Sequence, residues 1–343
     1  MNNLPRCGCG GKKTSSLEQL PSGIQFARFA VNRRAACVWE WDLRERNLRF
    51  LDELQPDYFG YVAARHGPDL EGDQRHYAAT AIRTVYSQAL ETFIALACAL
   101  IQAPLCIVGW MQLYRQEDLV EVAGAIARGE ECLSMVKGTP LSWKALADAC
   151  TAHIVLEDKA KEANIRDGYA KLWPQLAADF LEEGFQEEYN SLKHGLRVRP
   201  GGFHLRIGRE DTPGVAAPPE RMVSLGGSEF GASYFRPVRL GPTKRHYRLE
   251  QARRNWEPGV LGNRLQLIAI SIGNLIGLAR ILNGVDPTTV RFVWPTPIEA
   301  FEMALSPVTG VISATFDRVV DDKEIKELTA EEILSIYPRS PRK

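Results

Sequence analysis

The sequence predicts a mainly α-helical protein: a multi-helix domain with a small β insertion and short mixed terminal additions. Three observations carry that expectation. Apolar residues recur at helical spacing over long windows, as in Tyr77, Ala78, Ala81, Ile82, Val85, Ala89, Phe93, Ala97, Leu100 and Ile101. The segment from Arg199 to Asn255 instead shows short alternating runs broken by Gly-Gly and Gly-Pro, the pattern of strands and turns. The chain has 343 residues, 45% hydrophobic and 24% charged, which is ordinary globular material and long enough to bury a large core.

Charge and cysteine content narrow the function classes. Lys plus Arg equals Asp plus Glu at 42 each, so any case for a polyanionic partner must be local. The seven cysteines form an odd set, and several sit in apolar runs where they read as small buried hydrophobes. A reduced cytoplasm fits that usage. The opening MNNLPRCGCGGKK lacks the apolar core of a secretory signal.

Taken in order, residues 1–22 read as a flexible tail. CGCGGKK resembles the start of a small zinc-binding SEC-C-type tail, in which two cysteines begin a four-ligand site. No second Cys/Cys or Cys/His pair follows Cys7 and Cys9 nearby, so no metal is expected. Residues 23–70 form an N-terminal packing segment, read as a strand followed by a helix or as two short helices. Its aromatics, Trp39, Trp41, Phe50, Tyr58, Phe59 and Tyr61, are expected to pack rather than to stack on bases.

Residues 71–286 make the helical domain, with the β insertion at about 199–255. The first long helix covers Asp73 to Gln102 and stops at Pro104. The uncharged run Thr92–Tyr114 is long enough to cross a bilayer. Pro104, Gln102 and Gln112, with a polar face upstream at Arg75, Arg83, Ser87 and Glu91, favour a protein core, and no membrane is expected. Helices follow at Cys106–Tyr114 and Glu117–Arg128. Another is capped by Ser142, and a surface helix spans Glu157–Trp173. Strands are expected at 203–208, 221–225, 230–240 and 245–249, then a helix at Val260–Leu282. The C-terminal addition, 287–343, holds a helix at Pro297–Leu305, a strand near Gly310–Phe316 and a surface helix at Thr329–Ile336. No internal repeat is evident.

The chain is organised around Trp173–Val198. Leu176, Phe180, Phe185, Tyr189 and Leu192 predict a buried helix that ends in Lys193-His194-Gly195, where glycine supplies a left-handed cap. Asn190, Lys193, His194 and Arg197 share roughly one face of its last turns. Acids outnumber bases between Glu157 and Glu188. Beyond Lys193 the balance reverses, with Arg197, Arg199, Arg206, Arg209, Arg221, Arg236, Arg239, Arg253 and Arg254 among the bases. Such a basic lobe beside His194 suits RNA or another phosphate-rich ligand, with Arg197, Arg199, His204 and Arg206 as candidate ligand-binding residues. The competing expectation is that these bases pair with the acidic helix or solvate strand edges.

TyrAsnSerLeuLysHisGly, residues 189–195, near the end of a helix in a helical domain, resembles the HEPN superfamily, whose ribonucleases carry an R-x(4-6)-H motif. The resemblance implies a dimer of helical domains that cleaves RNA without metal or cofactor. His194 would stand at the His position and Asn190 at the polar one. The sequence departs at the Arg, because Glu187, Glu188 and Tyr189 stand there and would leave the catalytic pair incomplete. Cleavage needs a base for the 2′-hydroxyl and a cation for the phosphorane. Lys193, Arg197 or Arg199 would have to supply the second. The leading expectation is therefore a helical binding or interaction protein with its ligand site at Asn190–Arg197 and the basic insertion. A metal-independent endoribonuclease using His194, Asn190 and Lys193 is the alternative.

No GxxxxGK[ST], GxGxxG after a strand, HExxH or GxSxG occurs, so nucleotide hydrolysis, dinucleotide redox chemistry, zinc proteolysis and α/β-hydrolase chemistry lack a motif. Cys150 and His153, three apart on an Ala-rich helix, read equally as packing and as a thiolate pair. His204 and His246 are placed on strands of the basic lobe.

Overall fold

The computed structural model describes residues 24–135, 141–195, 197–241, 245–305, 313–316 and 321–337. Cys7 and Cys9, and the tail expected at 1–22, lie outside them. The described chain begins with an antiparallel hairpin, β1 (Ile24–Val31) and β2 (Arg34–Trp41), turned at Asn32 and Arg33. Asn32 takes φ 55°, which asparagine tolerates better than most residues. The mixed aromatic and basic run is thus a two-stranded hairpin that leads into helices, so the strand-then-helix expectation misses only the second strand. Phe29 and Val31 face the core, whereas Trp39 and Trp41 stay about half exposed at 54% and 50%. Two helices follow, α1 (Leu43–Glu53) and α2 (Asp57–His66).

Helix α3 (Arg75–Gln102) is buried on every side in its second half, with no exposed or half-buried residue from Phe93 to Ala103. A helix that is apolar all round belongs in the middle of a bundle. The run Thr92–Tyr114 is not one helix, because α3 ends before Pro104 and α4 (Ile107–Leu113) starts after it. Gln102 is satisfied inside the protein. Its Oε1 accepts from the backbone of Asn32 (2.8 Å) and from Trp110 Nε1 (3.0 Å), and its Nε2 donates to the Leu133 carbonyl (2.8 Å). One amide therefore ties the hairpin turn to α3 and α4.

Next come α5 (Gln116–Arg128) and α6 (Trp143–Thr151), the latter capped as expected by Ser142 Oγ accepting from Ala145 N at 3.0 Å. Helix α7 (Lys159–Leu181) runs past Trp173 and through Pro174, and it buries Ile165, Tyr169, Leu172 and Trp173. It is not the surface helix its charge suggested. The long helix expected over Trp173–Val198 is broken: α7 stops at Leu181, Gly184 turns the chain at φ 81°, and α8 (Phe185–Lys193) begins afresh. Apolar spacing continues across the break because Phe180 and Phe185 meet again, with ring centroids 5.5 Å apart. Periodicity therefore does not reveal it.

The β lobe is larger than an insertion alone. A four-stranded antiparallel sheet has the order β3 (Val198–Pro200), β6 (Gly231–Arg239), β7 (Tyr247–Asn255), β8 (Ser313–Phe316). Its last strand comes from the C-terminal segment. A separate hairpin pairs β4 (His204–Ile207) with β5 (Val223–Gly227). Alternation is clear along β6 and β7: Tyr234, Glu250, Ala252 and Arg254 are buried, and Phe235, Leu249 and Arg253 are exposed.

Helix α9 (Pro258–Leu282) packs along α3 and α2, and α10 (Ala300–Leu305) lies on α7 and α9. The apolar segment after α9 is held by Asn274, whose Nδ2 donates to the Val293 carbonyl (2.7 Å) and whose Oδ1 accepts from Val293 N (2.9 Å). Helix α11 (Ala330–Ser335) starts at a Thr329/Glu332 capping box. By length and composition α3 and α9 are long and apolar enough to cross a membrane. In this fold 78% and 61% of their most apolar windows are buried against protein. The molecule is thus helix-rich with small antiparallel sheets.

Candidate functional site

The end of α8 lies at the surface. His194 is the residue after the helix, its backbone N–H bonding the Asn190 carbonyl at 3.1 Å. Lys193, His194, Arg197 and Arg199 are all exposed, and Asn190 is half-buried. Lys193 Nζ sits 4.6 Å from the centre of the Tyr189 ring, and Arg197 donates to the Asn190 carbonyl at 3.3 Å. No hydrogen bond, ion pair or ring contact among the described residues engages the His194 imidazole. Arg199, His204 and Arg206 are also exposed, on β3 and β4, without an ion-pair partner among the described residues.

The other histidines are placed apart. His246, just before β7, accepts from Leu328 N at 3.3 Å. His153 stacks on Phe292 at 5.1 Å, while Cys150 is fully buried on α6 with its thiol pushed up by burial, so the two do not form a thiolate pair. Among the described residues no group of three His, Cys, Asp or Glu could hold a metal ion.

The strongest concentration of chemistry lies inside. Glu188, one of the residues standing where the motif Arg would be, is 0% exposed and points into the core. Its carboxylate accepts from Arg83 Nε (3.2 Å) and Nη2 (2.5 Å) and from Trp256 Nε1 (2.6 Å), and Arg254 Nη1 lies 3.4 Å away. Burial alone would raise the Glu188 pKa. The charges of Arg83 and Arg254, with the hydrogen bonds from Arg83 and Trp256, more than offset it, so the carboxyl titrates below its ordinary value. Arg254 also pairs with Glu182, in the turn where α7 ends.

A second buried pair stands beside the first. Asp179 accepts from Arg264 Nη1 (2.7 Å), from Gln175 Nε2 (2.9 Å) and from the Tyr86 hydroxyl. Arg264 Nε donates to the Ala304 carbonyl at 2.9 Å, and burial with the neighbouring Asp179 charge holds the Tyr86 phenol well above its usual range. These groups line a cavity of about 280 Å³ between α3, α7, the end of β7 and the start of α9.

Sequence reasoning does not bring these residues together: Arg83 falls on the polar face of the first long helix, Glu188 among the acids of 157–188 and Arg254 in the basic lobe. A signal is present for two of them. Glu188 is three residues from Phe185 and four from Leu192 and shares their buried face, and Arg83 sits between Ile82 and Val85, all three buried. Nothing local marks Arg254 as their partner.

Comparison of the chain with protein-family models, curated proteins and solved structures finds no match.

Proposed function

We propose that this chain is a helical, HEPN-like binding protein that holds a single-stranded RNA or a comparable phosphate-rich ligand on the basic surface around the end of α8 and the adjoining strands. The observation that supports this reading is the row of exposed cationic groups at Lys193, Arg197, Arg199 and Arg206, none with a carboxylate at ion-pair distance among the described residues. By contrast, deeper bases of the same lobe are paired: Arg236 with Glu250, Arg254 with Glu182 and Glu188. Unpaired surface cations release counterions when they meet phosphates. Glu188, buried against Arg83 and Arg254, does not stand on this surface to oppose such a ligand. Holding is favoured over cleavage because no cationic side chain among the described residues is hydrogen-bonded to the His194 imidazole where it could help stabilise a phosphorane.

The test is fluorescence anisotropy of a labelled single-stranded RNA against the full chain at rising salt. The expected result is binding that weakens steeply with salt and is reduced by R197A/R199A. Absence of binding at low salt, or binding indifferent to these substitutions, overturns the proposal.

A further inference from the structure

We infer that the cavity between α3, α7, β7 and α9 is a separate binding site for a small organic cation bearing a primary amine, held by the carboxylates of Glu257 and Glu182. The inference begins with the charges around the cavity. Arg83, Arg254 and Arg264 supply three positive groups; Asp179, Glu182, Glu257 and the adjacent Glu188 supply four negative ones, leaving one negative charge over. Each guanidinium is already matched: Arg83 to Glu188, Arg264 to Asp179, Arg254 to Glu182 and Glu188. An incoming anion would have to displace one of these carboxylates from a buried partner, which is costly.

Glu257 is the group left over. It stands at the N-cap of α9 but makes no side-chain capping hydrogen bond, and no ion pair or hydrogen bond engages its carboxylate among the described residues. It is half-buried on the cavity wall, and burial alone pushes its carboxyl up from the ordinary value. A half-buried, unpartnered carboxylate is stabilised by an arriving cation. Glu182 also lines the cavity with its side chain 53% exposed, which leaves it acceptor capacity for a ligand beside its pair with Arg254. The rest of the wall includes Val260, Leu261 and Leu305, apolar surface suited to a short alkyl chain. A volume of about 280 Å³ is at the lower end of pockets that hold small organic molecules.

Isothermal titration calorimetry of the purified full chain with 1,4-diaminobutane tests this, with butane-1,4-diol as the uncharged control. The diamine is expected to bind and the diol not to. Glu257→Gln should weaken diamine binding roughly tenfold, equivalent to about 1.4 kcal/mol, and barely move the urea unfolding midpoint, because no hydrogen bond or ion pair of its carboxylate among the described residues is lost. Glu182→Gln should also weaken it. RNA binding by Glu257→Gln should match the wild type, which separates this site from the surface proposed above. No diamine binding at millimolar concentration, equal affinity in Glu257→Gln, or displacement of the diamine by inorganic phosphate would each overturn the assignment.

Discussion

Two ends of one short helix meet opposite environments. Within α8, Glu188 is sealed from water and bound by two guanidinium groups and an indole, whereas Lys193 and the capping His194, less than two turns on, stand in solvent. Both stretches are polar in sequence. The difference is made by what arrives from far along the chain: Arg83 from α3 and Arg254 and Trp256 from the end of β7 close over Glu188, whereas His194 stays exposed. On α8 the interior charge is committed to holding elements together, and the exposed cations at its end have no ion pair among the described residues. Glu188 joins α8, the central helix and the β lobe at one point, so it fastens the sheet to the bundle.

The sharpest way to break the comparison is to remove the buried carboxylate. Glu188→Ala leaves Arg83 and Arg254 without their shared acceptor, and the expected loss is about 3–5 kcal/mol, the range for breaking one side of a buried pair. Urea denaturation measures it. Replacing the pair by Arg83→Met with Glu188→Leu should cost clearly less than Glu188→Ala alone, since Arg254 keeps Glu182 and no charge is left bare. A double variant as unstable as the single would mean that Glu188 acts through shape rather than charge.

The same carboxylate predicts an acid limb. The folded pKa of Glu188 lies below its ordinary value of 4.5, so the unfolded chain takes up the proton first as pH falls. Its contribution is then fully present above about that value and is lost as pH drops through the lower, folded one. Stability measured from pH 7 down to pH 3 should fall in the wild type, and the fall should be shallower in Glu188→Gln. Parallel profiles for the two proteins would remove Glu188 from the account.

How much of this is legible in the sequence follows from the range of the interactions. The helices α3, α5, α6 and α9 are readable because their apolar spacing, Pro104, Ser142 and Gly129 are local signals. The hairpin Ile24–Trp41 is not, because a two-residue turn at Asn32-Arg33 has no glycine or proline to announce it. The break at Glu182–Gly184 is hidden because Phe180 and Phe185 keep facing the same core on both sides of the turn. The exposure of His194 agrees with the sequence. The inward turn of Glu188 does not, although its spacing from Phe185 and Leu192 places it on the buried face. A carboxylate there is tolerated only if cations meet it, and those lie 105 residues upstream in Arg83 and far downstream in Arg254.

The exposed end gives smaller effects on stability and larger ones on binding. Arg197→Ala with Arg199→Ala should leave the unfolding free energy within about 0.5 kcal/mol of wild type, as surface substitutions generally do. The same variant should bind single-stranded RNA more weakly, and the slope of log affinity against log salt should fall by about one for each phosphate no longer engaged. A large loss of stability would show instead that these arginines pin β3 to the end of α8.

The least effect is expected at His194. Its exposed ring makes no hydrogen bond, ion pair or ring contact among the described residues, and its backbone bond to Asn190 does not depend on the side chain, so His194→Ala should change stability by no more than about 0.5 kcal/mol. Incubated with single-stranded RNA in EDTA, wild type and variant should both leave it intact, because no cationic side chain among the described residues is hydrogen-bonded to the imidazole, which alone can take a proton but cannot hold the charge that develops on phosphorus. Cleavage by the wild type that disappears in His194→Ala would reverse the comparison. The open end of α8 would then be the reacting centre, with Lys193 or Arg197, or a residue of a second copy, supplying the missing positive charge.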